Sequence, residues 1–164
     1  MYHHHVRDAV ALKVATTRMS RQIYFCGSIR GGRQDVDLYG RLVAALRRYG
    51  TVLTEFVADP KVTDMGSNEG TATTDREIHD RDVRLLEECD TIVAEVTQPS
   101  LGVGYEIGRG IAMGGRRVLC LYRPQPDKRL SAMIRGLPPS KDIQVVDYSA
   151  DSFEQVLSDF FSAA

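Results

Sequence analysis

Gln22-Ile23-Tyr24-Phe25-Cys26-Gly27-Ser28-Ile29-Arg30-Gly31-Gly32 passes from a strand-like run into a glycine-rich turn, and a helical pattern begins at its far end. The same order repeats along the chain. Strand-like runs at 22–26, 51–55, 91–96, 117–122 and 143–146 alternate with helix-like segments at 32–49, 75–89, 101–113, 130–135 and 152–161. Such alternation predicts an α/β fold with a five-stranded parallel sheet covered by helices. In the first helix Leu38, Leu42, Ala45 and Leu46 share one stripe, while Arg41, Arg47 and Arg48 point elsewhere, so it reads as a cover for the sheet.

The 164 residues suit one domain. A hydrophobic share of 43% with 26% charged residues places the chain among globular proteins. Net charge is −1, which leaves no broad positive field for a nucleic acid, so an anionic ligand must be held locally. The longest apolar runs, 91–96 and 118–122, are far shorter than the roughly 20 residues of a membrane span. Cys26, Cys89 and Cys120 are odd in number and lack metal-ligand spacing, which points to core packing in a reducing compartment. Residues 1–21, with His3, His4 and His5, read as an N-terminal extension ahead of a domain at 22–164. The aperiodic stretch 58–74 reads as a long loop, either of the kind that often covers a ligand or a disordered insertion.

Open α/β sheets bind ligands beyond the C-terminal strand ends. After the first strand, Gly27, Ser28, Ile29, Arg30 and Gly31 suit a phosphate: glycines let backbone N–H groups approach, the helix start adds positive charge, and Arg30 can chelate oxygens. The spacing fits neither the dinucleotide nor the P-loop pattern, so a monophosphate is expected. After the third strand, Ser100 is a natural N-cap and Glu106 lies one to two turns inside a helix, with Gly102 and Gly110 on its own face. Four glycines in that helix imply close approach of a ligand. Asp82 falls on the apolar stripe of the preceding helix, between Ile78 and Leu85 and Leu86, and is expected to be partly buried. A partly buried acid near an ionised carboxylate is the arrangement that breaks glycosidic bonds. His79 reads as a satisfied or solvated histidine, and Tyr24-Phe25 and Phe160-Phe161 read as core.

The segments 24–32, 78–82, 94–106 and 130–136, among them Ala94-Glu95-Val96-Thr97-Gln98-Pro99-Ser100-Leu101-Gly102-Val103-Gly104-Tyr105-Glu106, resemble the 2′-deoxynucleoside 5′-phosphate N-hydrolases of the nucleoside 2-deoxyribosyltransferase superfamily. The likeness runs colinearly from about 23 to 161. It implies a Rossmann-like, flavodoxin-like three-layer fold, a homodimer, no metal or cofactor, and a cytoplasmic location shared with the nucleus. It further implies that Glu106 is the nucleophile, that Asp82 assists departure of the base, and that Tyr24 orients the nucleophile. Gly27, Ser28, Ile29, Arg30, Gly31, Ser100 and Gly102 are then nucleotide contacts, and Ser131 a contact delivered by the other protomer. Phe56 stands where the family places His, which bears on base preference. A transferase passing the sugar to a second base, and a non-catalytic nucleotide-binding module, are the alternative readings.

Overall fold

The computed structural model describes residues 20–62 and 74–163. The five parallel strands are β1 (Arg21–Cys26), β2 (Gly50–Val52), β3 (Thr91–Glu95), β4 (Arg117–Tyr122) and β5 (Ile143–Asp147), in the order β2-β1-β3-β4-β5. This is the flavodoxin-like order. The helices are α1 (Val36–Leu46), α2 (Asp75–Glu88), α3 (Leu101–Met113), α4 (Ala132–Arg135) and α5 (Phe153–Ser162).

Parallel strands covered on both faces are apolar throughout, and each face builds its own core here. Ile23, Phe25, Val93, Leu119 and Leu121 pack on α1 and α5, in one cluster with Leu42, Leu46, Leu157 and Phe160. Tyr24, Cys26, Ile92, Ala94, Val118 and Cys120 face the other way, toward Leu86 of α2 and Val103 and Ile107 of α3. Three layers result. The predicted stripe of Leu38, Leu42, Ala45 and Leu46 is buried, as are all three cysteines, each of them free.

Two predicted elements depart most from their sequence pattern. The strand expected at 51–55 stops at Val52, because Thr54 folds its hydroxyl back onto β1, accepting from Phe25 N at 2.9 Å and donating to Phe25 O at 2.6 Å. A side chain thereby replaces the next rung of the ladder. The chain turns into a 3-10 helix, Glu55–Ala58, steadied by a two-pronged ion pair from Arg47 to Glu55. The helix expected from Gly32 begins only at Val36. Gly32 has φ +128, and the Arg33 guanidinium donates to Val57 O and Asp59 O, which holds 32–35 as a turn. The predicted loop at 58–74 lies mostly outside the described residues, as do His3, His4 and His5.

Candidate active site

In the order β2-β1-β3 successive strands are added to opposite sides of β1, and the crevice at such a switch point is where α/β sheets bind ligands. A cavity of about 570 Å³ opens there. Its wall takes Gly27, Ile29, Arg30 and Gly31 from the turn after β1, Ser100 and Gly102 from the start of α3, and both Asp82 and Glu106. Eight of the sequence-predicted site residues therefore meet around one space.

Glu106 is set by its neighbours. Tyr24, on the β1 face turned toward α3, is 1% exposed and donates from Oη to Glu106 Oε1 at 2.6 Å. Burial pushes the Glu106 carboxyl up to about 7; the Tyr24 hydrogen bond opposes the rise, the Asp82 charge adds to it, and Cys26 and Arg81 oppose it. Tyr24 itself is pushed far upward by burial and by Glu106, so its phenol stays protonated and can only donate to the carboxylate. Asp82, side chain 20% exposed as predicted, accepts from Arg81 Nε at 2.8 Å. One ionisable carboxyl poised near neutrality beside another is the combination used for nucleophilic and acid–base work on one bond.

The glycine-rich turn is built against the second corner. Gly31 O accepts from Gln98 Nε2 at 2.6 Å, and a Cβ on Gly31 would overlap the Pro99 carbonyl oxygen. Gly27 is pressed onto the Tyr39 ring, whose hydroxyl accepts from Ser28 N at 3.1 Å. Ser28 lies fully buried behind the wall, and its hydroxyl has no hydrogen-bond partner among the described residues. Arg30 lines the mouth and pairs with Asp75 at 2.7 Å. The helix start that opens onto the cavity is that of α3, not α1 as the pattern suggested: Ser100 caps α3 by accepting from Val103 N at 3.4 Å, whereas α1 starts four residues beyond Gly32.

The other predicted residues fall elsewhere. Ser131 caps α4, accepting from Met133 N at 3.3 Å, and is not on the cavity wall. Of the α3 glycines only Gly102 lines the cavity; a Cβ on Gly110 would overlap Ile92 Cδ1, so that glycine serves helix-to-sheet packing. His79 is exposed beside Asp80 and Tyr105, at 3.0 and 2.9 Å.

Sequence reasoning missed Arg81, which lines the cavity next to Asp82, and a buried polar cluster under the β3–α3 turn. There Glu95, fully buried and pushed up by that burial, accepts from Thr97 Oγ1 and from Tyr148 Oη at 3.0 Å. Arg123 N donates to Thr97 Oγ1 at 2.8 Å, and its guanidinium pairs with Asp35, the N-cap of α1, at 2.5 Å. No pattern of period or spacing announces a cluster drawn from four separate elements. Among the described residues no group of three or more His, Cys, Asp or Glu could hold a metal ion, and no helix is long and apolar enough to cross a membrane.

Comparison with known proteins agrees with this architecture. A 5-hydroxymethyl-dUMP N-hydrolase from Tetraodon nigroviridis is 56% identical over 141 residues, covering 86% of this chain and 97% of the relative. The human protein of the same name is 53% identical over 141 residues, covering 86% and 79%. A solved structure, the Clostridium botulinum CMP N-glycosidase BcmB, superposes with TM-score 0.61 at 20% identity, over 84% of this chain and 98% of its own, and shares the fold. The family model described as nucleoside 2-deoxyribosyltransferase matches residues 23–158, nearly the whole of the folded part, and the chain belongs to that family.

Proposed function

We propose that this protein hydrolyses the N-glycosidic bond of 2′-deoxynucleoside 5′-monophosphates, releasing a free base and 2-deoxyribose 5-phosphate. The observation that carries the reading is the 2.6 Å hydrogen bond from the buried Tyr24 hydroxyl to Glu106, which fixes a carboxylate at the wall of a nucleotide-sized cavity. Glu106 attacks C1′ as the C1′–N bond electrons leave with the base, which takes a proton relayed from solvent by Asp82. Asp82 then accepts a proton from water, the water oxygen displaces Glu106 from C1′, and configuration is retained. A 2-deoxyribosyl cation forms more readily than its ribosyl counterpart, so the deoxy sugar suits a covalent route. The names of the relatives support an N-hydrolase acting on a deoxynucleotide.

Gly27, Ser28, Ile29, Arg30, Gly31, Ser100 and Gly102 form the phosphate and sugar side of this reading. Arg30 exchanges Asp75 for phosphate oxygens, and the α3 N-terminus faces the same anion. The active unit is a homodimer in which Ser131 completes the partner's site, working in the cytoplasm and nucleus on a free nucleotide without metal or cofactor. A transferase would share the covalent step, but the phosphate corner favours water as acceptor for a phosphorylated sugar.

The test is release of free base from a panel of deoxynucleoside and ribonucleoside monophosphates and their dephosphorylated forms. Turnover of deoxynucleoside monophosphates alone is expected, and comparable turnover of plain deoxynucleosides overturns the phosphate assignment. Glu106→Ala should abolish base release while nucleotide binding persists; unchanged turnover removes the mechanism.

A further inference from the structure

Once the phosphate is given to the two glycine-rich corners and C1′ to Glu106, the wall left over for the base includes Phe56, Val62, Ile78 and Arg81. Three of these are apolar. Arg81 is the exception, and it is held from two sides: its guanidinium sits over the Phe56 ring, 4.1 Å from the centroid, and its Nε donates to Asp82 at 2.8 Å. The side chain is 25% exposed, and its terminal nitrogens meet no acceptor among the described residues. A guanidinium is a donor with no accepting capacity.

We infer that Arg81, steadied on Phe56, is the base-reading residue of this site and selects bases that carry an exocyclic carbonyl over those that carry an amino group there. The inference rests on the nucleotide hydrolase reading above. A carbonyl such as O4 of uracil, or O6 of a 6-oxopurine, accepts from the Arg81 N–H groups as guanine does from arginine in a DNA groove. An exocyclic amino group would set donor against donor in a partly dry cavity and leave both unpaired. Phe56 supplies the ring that fixes the fork, and the same ion pair couples base recognition to Asp82, the residue that serves the departing base.

The decisive comparison uses substrates that differ by that one group: dUMP against dCMP and dIMP against dAMP. Both kcat/KM in the wild type and Kd in the Glu106→Ala protein are measured. Each carbonyl member should be favoured by about tenfold or more in both readouts. Arg81→Gln, whose amide donates and accepts alike, should bring both ratios to within about threefold of one, with dCMP gaining in absolute affinity. Arg81→Lys keeps a cation beside Asp82 but loses the planar fork, and should lower the ratio while retaining more turnover than Arg81→Gln. A uniform loss across all four nucleotides with unchanged ratios, or a wild type without carbonyl preference in Kd, overturns the inference. Absence of turnover for every nucleotide overturns the hydrolase reading, and the Kd ratios then still decide the role of Arg81.

Discussion

Glu106 is held between opposing influences, burial and the Asp82 charge raising its pKa and the Tyr24 and Cys26 contacts lowering it, with a net position of about 7. In the proposed mechanism the attacking form is the carboxylate, so kcat/KM should fall below about pH 7, with one proton taken up. Tyr24→Phe removes a contact that favours the ionised form, so the acidic limb should move to higher pH; Asp82→Asn removes a like charge, so the limb should move lower. A pH–rate profile for each variant checks both signs, and a limb that stays in place in Tyr24→Phe would separate the tyrosine from the carboxylate. The same shift has a stability consequence. Between the ordinary carboxylate range and pH 7 the folded state holds a proton the unfolded chain has released, so stability falls as pH rises through that window. Glu106→Gln should therefore match the wild type near pH 4 and exceed it at pH 8 by roughly 3 kcal/mol, read from denaturant melts at the two pH values.

At the scale of elements, the site depends on two turns packed closely at Gly31 and joined by the Gln98 side chain. Gly31 touches the Pro99 carbonyl directly, and Gly110 lets α3 lie against Ile92 of β3. Both are glycines for lack of space, but with different consequences. Gly31→Ala separates the two corners of the cavity, so kcat/KM should drop about a hundredfold, in line with misplacing a bound substrate by about an ångström, with only a small change in Tm. Gly110→Ala overpacks the core and should cost about 1–3 kcal/mol of stability, with a smaller effect on the remaining folded protein's turnover. Equal loss of Tm in the two variants would mean that the Gly31 contact is ordinary packing. The Glu95–Thr97–Arg123–Asp35 cluster acts at this scale too, tying the starts of α1 and α3 to the ends of β3 and β4.

At the scale of the whole molecule, the chain leaves Ser131 off the cavity wall and exposes Leu101, Tyr105 and Met133, two of them on α3 beside the site. A two-fold assembly would place the same surface over both sites. Ser131→Ala and Glu106→Ala should each be strongly impaired, and mixing them should restore up to one active site per heterodimer, because one site then pairs intact Glu106 with intact Ser131. Base release after verified subunit exchange is the measurement, and no recovery rules out a shared site.

The order of strands and helices, the two-faced sheet and the positions of Glu106, Asp82 and the glycine-rich corner were legible in the sequence, because they follow from short-range periodicity and from turn chemistry written in neighbouring residues. The family resemblance at 94–106 suggested the proposed roles. What the tertiary structure alone decided lies between distant residues. Phe25 meets Thr54 across two strands and stops β2 early, Gly31 meets Pro99, and four elements converge on Glu95. The elevated pKa belongs to Glu106 because burial and opposing charges sum only in three dimensions. Arg81 gained a place in the site for the same reason: nothing local marks it, and its meaning comes from Phe56, twenty-five positions away in the chain and 4.1 Å away in space.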